Sequence, residues 1–202
     1  MKDFKSVANE ANSYLKNYGF KNHKNTLFIK KDNNWGLINF QKSNIEGNIK
    51  FTINLGVVSG ALRDFFQGEK LSDTPDITDC HWGKRIGHLL PQGNDYWWQM
   101  DETANYEAIV FEIKEVLHSI AIVEIQKNIT DEMLLQQWIE GSSPGITEYQ
   151  RLEYLAILLK FYADDRFQMA SENLIAFSQG KSIASGAKEI LRLLDAPDSF
   201  PK

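Results

Sequence analysis

The sequence predicts an α+β fold: an antiparallel β-meander packed with helices, followed by an all-helical C-terminal region. Three observations carry that expectation. Apolar residues recur at three- and four-residue steps at the start of the chain. They alternate at two-residue steps between positions 26 and 58, and from Thr103 onward the helical period returns. The division expected from this pattern is an α+β unit over residues 1–127 and a helical region over 128–202.

The opening helix is expected from about Asp3 to Tyr18, on the spacing of Phe4, Val7, Ala8, Ala11, Tyr14 and Leu15, with Gly19 placed to end it. Three strands follow, at Thr26–Lys30, Trp35–Lys42 and Lys50–Val58, the first two joined by the turn-forming cluster Asp32-Asn33-Asn34. Connections this short favour antiparallel neighbours. Alternation sorts the side chains. Ile38 and Phe40 share a face with Phe51, Ile53, Leu55 and Val57, and that face is expected to pack on helices. Trp35, Leu37, Asn39 and Gln41 point the other way, with Thr52 and Asn54, so the second face is expected to be rich in amides and open.

A short helix is expected over 60–67, a loop over 71–79 around Pro75, and an irregular stretch from Cys80 to Pro91 that Asp95-Tyr96-Trp97-Trp98 closes. Tyr106, Ile109, Val110, Ile113, Val116, Leu117 and Ile120 trace a wide stripe, predicting a long helix from about Thr103 to Gln126. Thr130 is placed to cap the next helix, with Asp131 and Glu132 in its first turn, where negative charge suits the dipole. Ser142-Ser143-Pro144-Gly145 breaks the chain, and Thr147 with Gln150 reads as a capping box opening a helix to Tyr162. Two more helices are expected, from about Arg166 to Gln179 and from about Ala184 to Leu194 before Pro197.

Of the 202 residues 43% are hydrophobic, ordinary for a globular chain and too many for a disordered one. The net charge of −5 argues against a nucleic-acid protein. That charge is unevenly spread: residues 1–91 carry 13 Lys and Arg against 9 Asp and Glu, whereas 92–202 carry 9 against 18. An acidic half of this kind suits a basic partner; its plainer reading is a set of solvated helix faces. Cys80 is alone, so no intrachain disulfide forms, and the N-terminus lacks the apolar core of a signal peptide. No apolar run approaches the ~18–20 residues that span a bilayer. A cytoplasmic location without membrane attachment is the expectation.

In four blocks the chain resembles a bacterial family known as domain of unknown function 4304. They are Trp35-Gly36-Leu37-Ile38-Asn39-Phe40-Gln41-Lys42-Ser43, Phe51-Thr52-Ile53-Asn54-Leu55-Gly56, Cys80-His81-Trp82 with Arg85-Ile86-Gly87, and Asp95-Tyr96-Trp97-Trp98. The likeness covers roughly residues 1–125. It implies a shared fold and brings no catalytic residue with it.

Residues with chemistry are few. Cys80-His81 is the nearest approach to a nucleophilic dyad, but adjacent side chains in an extended segment point apart, and a buried thiol beside a structural histidine is the plainer reading. Cys80, His81, His88 and His23 lack the paired short spacing of zinc ligands, so no metal is expected. Asp131-Glu132 and Asp164-Asp165 read as caps and dipole partners. Glycine-rich phosphate loops and the hydrolase nucleophile elbow are both missing, and no cofactor is expected. The tryptophans carry more weight, because Trp and Arg dominate binding hot spots, although the same rings also fill cores. Of the adjacent pair Trp97 and Trp98, one ring should face inward and one outward.

The candidate binding residues are therefore Asn39, Gln41, Asn54, His81, Trp82, Arg85, His88, Trp97 and Trp98. The expected function is a non-catalytic protein-interaction module whose partner has a basic surface, analogous in size and charge to immunity proteins that neutralise basic toxin domains. The alternative is a small-molecule enzyme using Arg85 as an anion anchor with His81 or His88 for proton transfer. Nucleic-acid binding is not expected, since the strands lack the ring spacing of a stacking sheet.

Overall fold

Asp3 accepts the Ser6 backbone N–H and so starts helix α1 at Phe4–Lys16, whose Phe4, Val7, Ala11 and Leu15 form the buried stripe. The structure, a computed structural model, describes residues 3–45, 47–67, 74–101 and 103–196. The first part of the loop expected over 71–79 and the stop expected at Pro197 lie outside the described residues.

Strands β1 (Lys21–His23), β2 (Thr26–Lys31), β3 (Asn34–Ile45) and β4 (Asn48–Val58) form consecutive antiparallel pairs, extended by β5 (Trp82–Arg85) and β6 (Trp98–Gln99) on the free side of β4. Six strands stand where three were expected. Those added are two to four residues long, too short for alternation to show in sequence, and they exist because β2 and β4 supply a template. The meander is antiparallel with the expected faces, and its register sets Ile38 opposite Leu55, Phe40 opposite Ile53 and Asn39 opposite Asn54.

The apolar face carries Ile38, Phe40, Ile53, Leu55, Val57 and Trp82 into one buried cluster that runs from Phe4 to Leu194. Helices α2 (Gly60–Gln67), α3 (Tyr106–Val116), α4 (Ile122–Asn128) and α5 (Asp131–Ile139) follow, then α6 (Glu148–Phe161), α7 (Phe167–Ser178) and α8 (Ala184–Leu194). The long helix expected over 103–126 starts at Asn105, whose side chain accepts the Ala108 N–H, and a π-helical turn at Leu117–Ala121 divides it into α3 and α4. Leu117, Ala121, Ile122 and Ile125 are all buried through and just after this turn. The capping box of Thr147 and Gln150 forms as read. None of the described helices is long and apolar enough to cross a membrane.

Two glycines in the family-like blocks set interlayer distances. A Cβ at Gly36 would sit 2.3 Å from Ile125 Cγ2, so the bare backbone is what lets α4 lie against β3. On the opposite face a Cβ at Gly56 would sit 2.2 Å from Cys80 Sγ. Gly36→Ala should lower the unfolding free energy by about 1–3 kcal/mol through overpacking. Urea titration with an unchanged slope would report it, and a variant as stable as the parent would show that α4 is not seated on that backbone.

Candidate functional site

The register places five polar side chains on the face away from the core. Asn39 and Gln41 come from β3, Thr52 and Asn54 from β4, and Arg85 from β5 opposite Asn54. Asn54 Nδ2 donates to Gln41 Oε1 at 2.9 Å, and Arg85 bonds both residues, Nε to Asn54 Oδ1 and NH2 to Gln41 Oε1, each at 3.3 Å. Arg85 NH1 reaches both oxygens of Asp95 at 2.9 Å. Trp97 Nε1 donates to Asp95 Oδ2 at 2.9 Å, and the Trp97 ring lies 5.4 Å from the Arg85 guanidinium and 5.0 Å from Lys50 Nζ. The Trp97 and Arg85 donors hold the Asp95 carboxyl below the usual carboxylate range. Asn39 turns aside and donates to Thr26 Oγ1 at 2.9 Å. The result is a half-exposed platform of one ring and one guanidinium, braced from three strands and the 95–97 loop.

Not all of that face is open. Beyond Asn39 it becomes apolar, and Trp35, Leu37 and Val58 are sealed by Phe28, Ile77 and Cys80. The 3₁₀ turn Ile77–Asp79 lies there, held by an Asp76 capping box. Burial among these groups, with the Asp79 and Asp76 carboxylates nearby, pushes the Cys80 thiol up, which makes it a poor nucleophile.

The structure separates the remaining sequence candidates. Trp82 is fully buried on the core face and donates to Gln137 Oε1 at 3.2 Å, and Trp98 is buried and stacked on Phe51 at 5.4 Å. Of the adjacent pair, Trp98 is the inward ring and Trp97 the outward one. His81 is 6% exposed: its Nδ1 accepts the Ser59 N–H at 3.0 Å and its ring meets Tyr154 edge-on at 4.9 Å. Burial first, then the Arg63 charge, lowers its pKa to about 3, so it is a neutral imidazole with its proton on Nε2. His88 is exposed at the end of the 3₁₀ turn Ile86–Leu89. Of the two histidines in the enzyme reading, His88 lines one concavity with Arg85 and His81 does not. Arg85 is engaged by Gln41, Asn54 and Asp95, while His81 lies in the interior against α6. Among the described residues no group of three His, Cys, Asp or Glu is placed to hold a metal.

A second concavity was not legible in the sequence. A cleft of about 700 Å³ opens between the β2–β3 turn, one side of α5 and the α6–α7 corner. At its base Asp131 is 7% exposed; Asn34 Nδ2 donates to its Oδ1 at 2.9 Å and the Tyr162 hydroxyl to its Oδ2 at 2.8 Å. Burial, then the Asp131 carboxylate, raises the Tyr162 pKa, so the phenol stays protonated and donating. Asp131 and Glu132 do occupy the first turn of α5 as read, but the turn-forming Asn34 and the C-cap Tyr162 show no sign in sequence of meeting there.

The profile of the Domain of unknown function (DUF4304) matches residues 11–137, more than half of the chain. The chain belongs to the DUF4304 family. The match runs from within α1 to Gln137 in α5, so it holds the whole sheet and the Arg85–Trp97 platform, whereas α6, α7 and α8 lie beyond it. The cleft lining from Asp32 to Gln136 is thus DUF4304 sequence, and that from Ile139 to Arg166 is not. No curated protein and no solved structure matches the chain.

The neutral His81 fixes the sign of a pH effect. Its folded pKa lies below the unfolded value of about 6.5, so its contribution is complete above that pH and is lost as pH falls toward about 3. In NMR, the His81 ring should keep the Nε2–H tautomer from pH 8 to pH 5. A His81 resonance that moves through that range would contradict its burial.

Proposed function

We propose that this protein is a non-catalytic interaction module that recognises a protein partner through the Arg85–Trp97 platform, with the acidic C-terminal half drawing a partner whose surface is basic. The observation that carries the reading is the platform's bonding. Every nitrogen of Arg85 is committed to Gln41, Asn54 or Asp95, and the half-exposed tryptophan is anchored through Asp95. A guanidinium whose three nitrogens are already bonded is poorly suited to seize a reacting anion or to move a proton. It is well suited to recognition, because an aromatic ring and a guanidinium already fixed lose little conformational entropy when a partner covers them.

The charge pattern supplies the second part. Residues 92–202 carry twice as many acidic as basic side chains, and such a field raises association rates with a cationic surface. The reading places the partner's contact on the sheet and leaves the acidic helices to guide its approach.

Affinity capture from the source cells, with bound proteins quantified for parent and variants, tests this. Trp97→Ala and Arg85→Gln should each reduce one basic protein at least tenfold while Gln168→Ala, on the exposed side of α7, leaves it unchanged. A bound set identical across all four proteins would overturn the platform, provided that the variants unfold at the parent's temperature.

A further inference from the structure

The geometry points to the cleft between α5 and the α6–α7 corner as a seat for an arginine or lysine side chain of an extended basic peptide segment, the part of the partner that the acidic half attracts. This rests on the proposed basic partner and goes beyond it by naming a place away from the platform and a mode of contact.

The apolar wall comes first. Ile139 is 36%, Phe161 40% and Tyr162 52% exposed, and the two rings meet edge-on with centroids 4.9 Å apart. Three large apolar side chains at one concavity offer a stem-binding surface and an aromatic face to a cation. The cleft volume of about 700 Å³ lies inside the roughly 300–1,000 Å³ of ligand sites. It exceeds what one methylene stem fills, so a peptide with flanking residues fits better than a lone amine.

Charge then selects the occupant. The lining holds five carboxylates against one arginine. That arginine, Arg166, is clamped by Asp164, Nε to Oδ1 at 2.8 Å and NH2 to Oδ2 at 2.6 Å, so it balances its own neighbour and no other acid. Asp131 is spent on Asn34 and Tyr162. Asp32 on the β2–β3 turn, Glu132 in the first turn of α5 and Glu140 at its C-cap are exposed and line the same cleft as the aromatic pair. The N-terminus of α5 would itself repel a cation, but Asp131 and Glu132 in its first turn reverse the sign of the roughly half charge there. An anionic or purely apolar segment would leave these carboxylates desolvated without a counter-charge. A segment carrying an arginine or lysine on a flexible stem satisfies both walls.

The test uses the full chain and a synthetic hexapeptide, acetyl-Gly-Arg-Gly-Arg-Gly-Arg-amide, with spermidine as a second probe, by calorimetry at 50 and 300 mM salt. The peptide should bind, weaken as salt rises, and lose at least tenfold in affinity for the triple variant Asp32→Asn, Glu132→Gln, Glu140→Gln and for Phe161→Ala. Trp97→Ala should bind it as the parent does. Asp32 has a positive φ of 53°, which asparagine tolerates, so that replacement keeps the turn. Equal binding by parent and cleft variants, or no binding, would overturn this seat while leaving the capture result on the platform standing. Spermidine binding as tightly as the peptide would overturn the peptide as occupant.

Discussion

The fold and its cleft both depend on one buried side chain, Asn34. Its Nδ2 donates to Ile129 O and to Asp131 Oδ1, each at 2.9 Å, and its Oδ1 accepts the Gly60 N–H at 2.8 Å. One amide thereby ties the β2–β3 hairpin to the start of α2 and the start of α5. Tyr162, donating to the other Asp131 oxygen, brings in the end of α6. Buried polar groups are tolerated only when bonded, and here each partner's alternative is an orphaned donor or an uncompensated carboxylate. The sheet and the helical third are therefore fixed to each other by hydrogen bonds as well as by the apolar cluster that runs through both. The same bonds form the base of the acidic cleft.

His81 and Cys80 lie inside the fold, and Arg85 sits half-buried among its partners. His81 is neutral and bonded to Ser59 N–H, the Cys80 thiol is suppressed by burial and two nearby carboxylates, and each nitrogen of Arg85 is bonded within the platform. What reaches solvent is the Trp97 ring beside two cations on one surface, and the Phe161–Tyr162 pair opposite carboxylates on another. The first lies within the DUF4304 match and the second partly beyond it, so a sheet scaffold common to the family carries one surface while the appended helices complete the other.

Much of the fold was legible because its signals are local. Two-residue alternation gave the faces of β3 and β4, the stripe from Tyr106 to Ile120 gave α3, and Thr147 with Gln150 marked the start of α6. What escaped was non-local. Strand β5, with Gly83 at its centre, is defined by its pairing with β4; the π turn interrupts a stripe that reads as continuous; and Asn34, read as a turn residue, acts through partners 26, 95 and 97 positions away. The platform was half legible. Alternation put Gln41, Asn54 and one of two tryptophans on a face, but not which tryptophan, nor that Asp95 would join it to Arg85. The cleft was not legible at all, since its acids had a sufficient local explanation as helix caps.

The most direct measurement of this account is a double-mutant cycle on Asn34 and Asp131 by urea unfolding. Asn34→Ala and Asp131→Ala should each cost about 2–3 kcal/mol, since each strands a buried partner, and the double variant should cost less than their sum by at least about 1 kcal/mol. Single losses below about 0.5 kcal/mol that simply add would contradict it, and the sheet and helices would then be held by apolar packing alone.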